Sequence, residues 1–133
     1  MITSSSVRIK KEWDIVGARQ MGRKLAKDLG FGTIDQARIA TAISELARNI
    51  YLYAEEGKVE YEIIEEMNKK GLRIVASDKG PGIEDLSKVM EDGYSTSGGL
   101  GAGLPGVKRL MDFFDIISDP GKGTTISTIK WVR

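Results

Sequence analysis

The chain has 133 residues, 41% hydrophobic and 29% charged, with 20 basic against 19 acidic side chains and a net charge of +1. That length bounds it to one domain, residues 1–133, with a proper core, and near-neutrality supplies no field that draws it to nucleic acid or an anionic membrane. It contains no cysteine and no histidine, which excludes disulfides, thiolate and imidazole metal sites and Ser-His-Asp chemistry within the chain.

A side-chain base therefore falls to a carboxylate, a lysine or a tyrosine. The opening Met1-Ile-Thr-Ser-Ser-Ser lacks the apolar core of a signal peptide, and no apolar run approaches the roughly 20 residues of a membrane span. A cytoplasmic location is expected.

Val7 to Ile9 alternates apolar with basic residues and predicts a short edge strand. From about Glu12, the apolar residues Trp13, Val16, Met21, Leu25 and Leu29 keep helical spacing, with Gly30 as the stop. Gly17 and Gly22 inside that helix point to close packing. Thr33-Ile-Asp-Gln36 has the form of a capping box and starts a second helix that should run to about Glu56, with Gly57 ending it. Ile39, Ile43, Leu46 and Ile50 form its core face. Glu45 and Asn49 share a stripe about a quarter-turn away, at the boundary between core and solvent.

Val59, Tyr61 and Ile63, then Leu72, Ile74 and Ala76, alternate as a hairpin does, with Asn68-Lys-Lys-Gly71 as its turn. Asp85 to Glu91 suggests a short helical turn, Gly93 to Gly103 a loop, and Leu104 to about Phe113 a helix with Pro105 in its first turn. Phe114 to Ser118 and Thr124 to Val132 are two more strands across Asp119-Pro-Gly-Lys-Gly123. The order predicts an α+β two-layer sandwich, with a mixed, mostly antiparallel sheet and its helices on one face.

Eight of the 16 glycines lie between Asp78 and Gly106. Gly101-Ala-Gly103-Leu-Pro-Gly106 has the letters of a dinucleotide fingerprint, but no strand leads into it, which argues against that site. No G-x-x-x-x-G-K-[ST] occurs. What remains is Asp78 with Gly80 and Gly82 at a strand end, and Gly98 to Gly103 ahead of a helix. The first can accept from an exocyclic amine while backbone approaches a flat ring. The second can turn N–H groups toward phosphates. Asp78 alone is equally a turn-capping aspartate, and the glycine run alone a plain surface loop. Likewise Glu45 and Asn49 alone are an ordinary partly solvated pair. Together with a nucleotide site, they suit a base and a hard-cation ligand.

The segments Glu45-Leu-Ala-Arg-Asn49, Asp78-x-Gly80-x-Gly82, Gly99-Leu-Gly101-Ala-Gly103-Leu and Gly123-Thr-Thr125 occur in that order. They resemble the asparagine box and the three glycine boxes of the GHKL ATPases, over essentially the whole chain. Glu12-Trp-Asp-Ile-Val, Gly30-Phe-Gly-Thr, Ala42 to Tyr53 and Tyr94 to Met111 are similar, more narrowly, to the serine/threonine kinases of the anti-sigma-factor and stressosome branch. The resemblance implies ATP and Mg²⁺ as cofactors, with Asn49 coordinating the metal and Glu45 acting as general base. It implies that Asp78 binds the adenine amine, helped by Thr124 through a water, and that Gly80 and Gly82 shape the adenine pocket. It assigns Gly99, Gly101, Gly103 and Leu104 to the phosphate side, and residues from about Gly93 to Gly99 to a short lid. It further implies phosphorylation of STAS-domain partners in a stressosome-type core. On release from that core, a downstream regulator such as a metal-dependent serine phosphatase would be activated. The alternative within the same branch is an anti-sigma-like binding module whose ATP site controls partner affinity; a scaffold that binds no nucleotide is the third class.

Overall fold

A computed structural model describes residues 4–82, 90 and 103–133. Among these, five strands and three helices follow in the order β1 (Ser4–Ile9), α1 (Trp13–Leu29), α2 (Thr33–Tyr53), β2 (Gly57–Glu66), β3 (Lys69–Asp78), α3 (Gly103–Leu110), β4 (Phe113–Asp119) and β5 (Gly123–Trp131). The strands form one sheet in the order β1-β2-β3-β5-β4. Every pairing is antiparallel, so the sheet goes further than the mostly antiparallel one expected. The short helical turn expected from Asp85 to Glu91 and the loop from Gly93 lie outside the described residues, apart from Met90 and Gly103.

One face of the sheet carries the helices. Its rows Val59–Ala76–Ile126 and Tyr61–Ile74–Thr128 are buried beneath them. Ile39, Ile43, Leu46 and Ile50 of α2 are at most 2% exposed and fill the centre, as their spacing predicts. Polar groups in this core are satisfied: Tyr61 Oη donates to the Ala18 carbonyl at 2.6 Å, and Thr128 Oγ1 to the Ile74 carbonyl at 2.9 Å. Burial pushes the Tyr61 phenol well above its usual pKa.

Helix α1 differs from its sequence pattern. Its buried face is Ile15, Ala18, Gly22 and Ala26, while Trp13 is 78% exposed and Val16, Met21, Leu25 and Leu29 are only partly covered. The seam is built from small residues at i, i+4 and i+8, which lets α1 lie close on α2. A Cβ added at Gly22 would occupy the space of Ile43 Cδ1, whereas one at Gly17 meets nothing within 4 Å. Close packing thus explains Gly22 and not Gly17. Gly22→Ala should therefore lower stability by about 1–3 kcal/mol through overpacking. Gly17→Ala should raise it by about 0.5–1 kcal/mol through helix propensity. Paired urea melts check both, and a stabilised Gly22→Ala would show that the seam has room.

Gly30 ends α1 as expected, at φ 99°, with the Phe31 N–H donating to the Ala26 carbonyl. The capping box does not form. Gly32 is the N-cap and Thr33 is already helical, one residue too late to cap, while Gln36 Nε2 donates to the Phe31 carbonyl at 2.8 Å. Helix α2 also stops sooner than expected, at Tyr53, with Ala54 extended. Gly57 is not its stop but the first residue of β2, where a Cβ would collide with the Ser77 carbonyl and Ile50. The β2–β3 hairpin turns on Met67 and Asn68, at φ 49° and 68°, a two-residue turn with both residues left-handed. Lys69 to Gly71 therefore belong to β3 rather than to the turn.

The far end of α3 is anchored by charge. Lys130 is 5% exposed, and its Nζ donates to the Leu110 carbonyl at 2.7 Å, with Asp35 at 3.8 Å and Asp112 at 3.9 Å. A cation at a helix C-terminus is favourable. Burial works to raise the Asp112 carboxyl, but it is outweighed. The Arg133 guanidinium at 2.8 Å, the Trp131 N–H and the Lys130 charge hold it below its ordinary pKa. A depressed carboxyl adds stability that is full above the unfolded pKa of about 4 and is lost as pH falls through the lower folded value. Asp112→Asn should cost about 1–2 kcal/mol at pH 7 and flatten the acid limb of the stability curve below pH 4. Urea midpoints at pH 7 and pH 3 check this; parallel losses at both pH values would remove the carboxylate from the account.

Candidate functional site

The candidate site lies where the ends of β3, β5 and β4 line up, with Gly57 and Gly80 beside Asp78 packed on Ile50 and Ala54 at the C-terminal end of α2. Antiparallel register sets Gly57, Asp78, Thr124 and Ser118 side by side across four strands. The row continues the alternation of the buried rows, so these positions face the helices. Asp78 and Thr124 are directly opposite one another, about 5 Å apart by strand geometry. Thr124 is 6% exposed and its hydroxyl lies 2.8 Å from Ser118 Oγ.

Asp78 takes the turn-capping role that its sequence left open. Its Oδ1 accepts from the Gly80 N–H at 2.8 Å, so it shapes the turn that follows. Its second carboxylate oxygen remains an acceptor at the strand end. Gly80 is needed for contact, because a Cβ there would lie 2.7 Å from Ala54 Cβ at the end of α2. Gly82, at φ 79°, packs on the Asp119 carbonyl, and the Gly121 N–H donates to the Pro81 carbonyl at 2.7 Å. The segment after Asp78 is thus tied to α2 on one side and to the β4–β5 turn on the other.

Glu45 and Asn49 lie one turn apart on α2, about 6 Å along its axis. Asn49 is half-buried, as a boundary position should be. Glu45 is 5% exposed, deeper than the boundary stripe expected for it. Ala42 and Ala47 are also fully buried, so the covered arc of α2 is wider than its four large apolar residues indicate. The i, i+4, i+8 stripe continues to Tyr53, a residue not singled out from sequence although its spacing was the available signal. Tyr53 lines a groove of about 800 Å³ between the end of α2 and Lys79–Pro81. That groove includes neither Glu45, Asn49 nor Thr124, so it borders the site rather than forming it.

Helix α3 packs on α2. Gly103 opens it at φ 71°, a conformation that favours glycine. The Leu104 side chain is 6% exposed and belongs to the core, so only its backbone can face a phosphate. Gly99 and Gly101, the other two phosphate-side candidates, lie outside the described residues.

The donor set fits a nucleotide with its cation. A strand-end carboxylate beside a threonine and glycine-lined backbone suits a flat base carrying an amine. Among the described residues no group of three His, Cys, Asp or Glu side chains can hold a metal ion. A cation on the Asn49 amide would take its remaining ligands from phosphate and water, the pattern that Mg²⁺ favours. Among the described residues no helix is long and apolar enough to cross a membrane.

Residues 34–132 match the family model described as histidine kinase-, DNA gyrase B- and HSP90-like ATPase. The chain is 67% identical over 133 residues to the serine/threonine-protein kinase RsbT of Bacillus subtilis, covering 100% of both chains. It is 33% identical over 107 residues to an anti-sigma F factor of Caldanaerobacter subterraneus, covering 75% of this chain and 73% of that one. Among solved structures, the mycobacterial sensor histidine kinase MprB superposes with a TM-score of 0.58 at 20% identity, over 99% of both chains. The RsbU and RsbW domains of a Mycobacterium tuberculosis protein superpose with a TM-score of 0.64 at 18% identity, over 95% of this chain and 32% of that one. These two likenesses establish the fold. Fold, family model and full-length identity agree: the chain belongs to the histidine kinase-, DNA gyrase B- and HSP90-like ATPase family and, within it, to the kinase branch that RsbT represents.

Proposed function

We propose that the protein transfers the γ-phosphoryl group of ATP to a serine or threonine hydroxyl on a STAS-domain partner of a stressosome-type core. In this reading it works in the cytoplasm as one GHKL domain. The observation that carries it is Glu45, a buried carboxylate one turn from Asn49, in a chain 67% identical throughout to a serine/threonine-protein kinase. A module that only binds partners has no use for a base at that position.

In this reading Asp78 accepts from the adenine amine, with Thr124 beside it, and Gly80 and Gly82 shape the wall around the ring. Asn49 ligates Mg²⁺, which when bound neutralises charge on the phosphate oxygens. Gly99, Gly101, Gly103 and the Leu104 backbone serve the phosphate side. Glu45 accepts the proton of the partner's hydroxyl while that oxygen bonds to the γ-phosphorus. The bond from γ-phosphorus to the bridging oxygen breaks and ADP leaves. Release from the phosphorylated core frees the kinase to activate a downstream regulator, such as a metal-dependent serine phosphatase.

Incubation with labelled ATP and candidate STAS-domain proteins, followed by mapping of the modified residue, tests the proposal. Label on a serine or threonine of the partner is expected. A second reading, an anti-sigma-like binding module, draws on the similarity to anti-sigma F factors. ATP binding with no transfer to any STAS partner would favour it. Failure of ATP and Mg²⁺ to raise the melting temperature would sink both.

A further inference from the structure

Ser118 stands at the end of the site row, and the roles proposed above leave it unused. It is opposite Thr124, which is in turn opposite Asp78. Ser118 Oγ donates to the Gly123 carbonyl at 3.2 Å and lies 2.8 Å from Thr124 Oγ1. A hydroxyl has one proton to give. With the Ser118 proton on the Gly123 carbonyl, the 2.8 Å contact must be made by the Thr124 proton. Thr124 Oγ1 then meets the site with lone pairs only, next to the Asp78 carboxylate, which is itself an acceptor.

We propose that Ser118 is a positioning residue that sets base selectivity by holding the Thr124 proton away from the site. The floor of the base pocket then offers acceptors alone. An exocyclic amine brings N–H donors to such a floor, whereas a 6-oxo purine brings a carbonyl against lone pairs, which is unfavourable. The inference rests on the nucleotide reading above and adds a residue that selects an amino purine without touching it.

The test is calorimetric titration of the full chain with Mg-ATP and with Mg-ITP, whose base carries an oxo group where adenine has its amine. Wild type should prefer ATP. Ser118→Ala frees the Thr124 hydroxyl to rotate and donate, so the ATP-to-ITP affinity ratio should fall about five-fold. Ser118→Thr keeps a hydroxyl at that position and should keep the ratio. Because Ser118 acts through Thr124, adding Ser118→Ala to Thr124→Val should change the ratio no further than Thr124→Val alone. An unchanged ratio in Ser118→Ala, or an equal fall in the Thr124→Val background, overturns the inference. General loosening of the fold would weaken both ligands together and leave the ratio alone, which also counts against it. Equal wild-type affinity for ATP and ITP would bring down the base-binding reading and the inference with it. A wild-type preference that survives Ser118→Ala would remove the inference only.

Discussion

Glu45→Gln should lower phosphoryl transfer by about two to four orders of magnitude while leaving ATP affinity within about two-fold. Glutamine matches glutamate in shape and cannot take a proton from the attacking hydroxyl. Glu45 is 5% exposed, so the isosteric change matters. Alanine there would also remove the base, but would leave a gap in the buried arc of α2 and blur the result with lost stability. Asn49 is a full turn away and untouched, so metal and nucleotide binding are retained. Single-turnover labelling of a STAS-domain partner gives the first number, and calorimetry with Mg-ATP gives the second. Labelling at more than a tenth of the normal rate would mean that some other group takes the proton.

Asp78→Asn should weaken ATP binding by about 10- to 100-fold, the value of a hydrogen bond to a charged acceptor. The substitution separates the turn bond of this side chain from its proposed contact with adenine. Asparagine retains a carbonyl oxygen for the Gly80 N–H, so the turn and the melting temperature of the protein alone should hold. It replaces the second acceptor by an NH₂ donor, which faces the amine of adenine donor to donor. The melting temperature should then lose most of its response to ATP, since a ligand that binds weakly stabilises little by mass action. An undiminished response would place adenine recognition elsewhere.

Much of this arrangement is legible in the sequence because it rests on strong periodicity. The α2 face of Ile39, Ile43, Leu46 and Ile50 and the alternation of both hairpins are found where spacing puts them. Antiparallel pairing then brings Asp78 opposite Thr124. What spacing misses is packing by small residues. Ala18, Gly22 and Ala26 carry little hydrophobic weight, so the α1 seam is hidden behind the larger Val16, Met21 and Leu25, which are only partly covered. The same effect understates the burial of Glu45, flanked by Ala42 and Ala47. Thr33 and Gly57 mislead for a different reason. Each has the chemistry of a helix end, and each sits where a tertiary contact or a one-residue offset gives it other work. Ser118 is invisible in a linear reading, since nothing but the β4–β5 register places it beside Thr124.

Gly123 has a consequence for that register. It stands at φ 89°, and a Cβ there would run into the Asp78 carbonyl, so only glycine fits where β5 begins. The two residues that follow are both threonines. A slip of one residue along β3 would leave the composition at the strand end the same and turn Thr125 inward, with Thr124 pointing to the opposite face of the sheet. The rest of β5 resists such a slip, because it would take Ile126 and Thr128 out of the core. Gly123 adds a second lock at the strand end itself: glycine can occupy the crowded spot against Asp78 and threonine cannot. A position with no side chain thus helps to decide which of two identical side chains looks into the site.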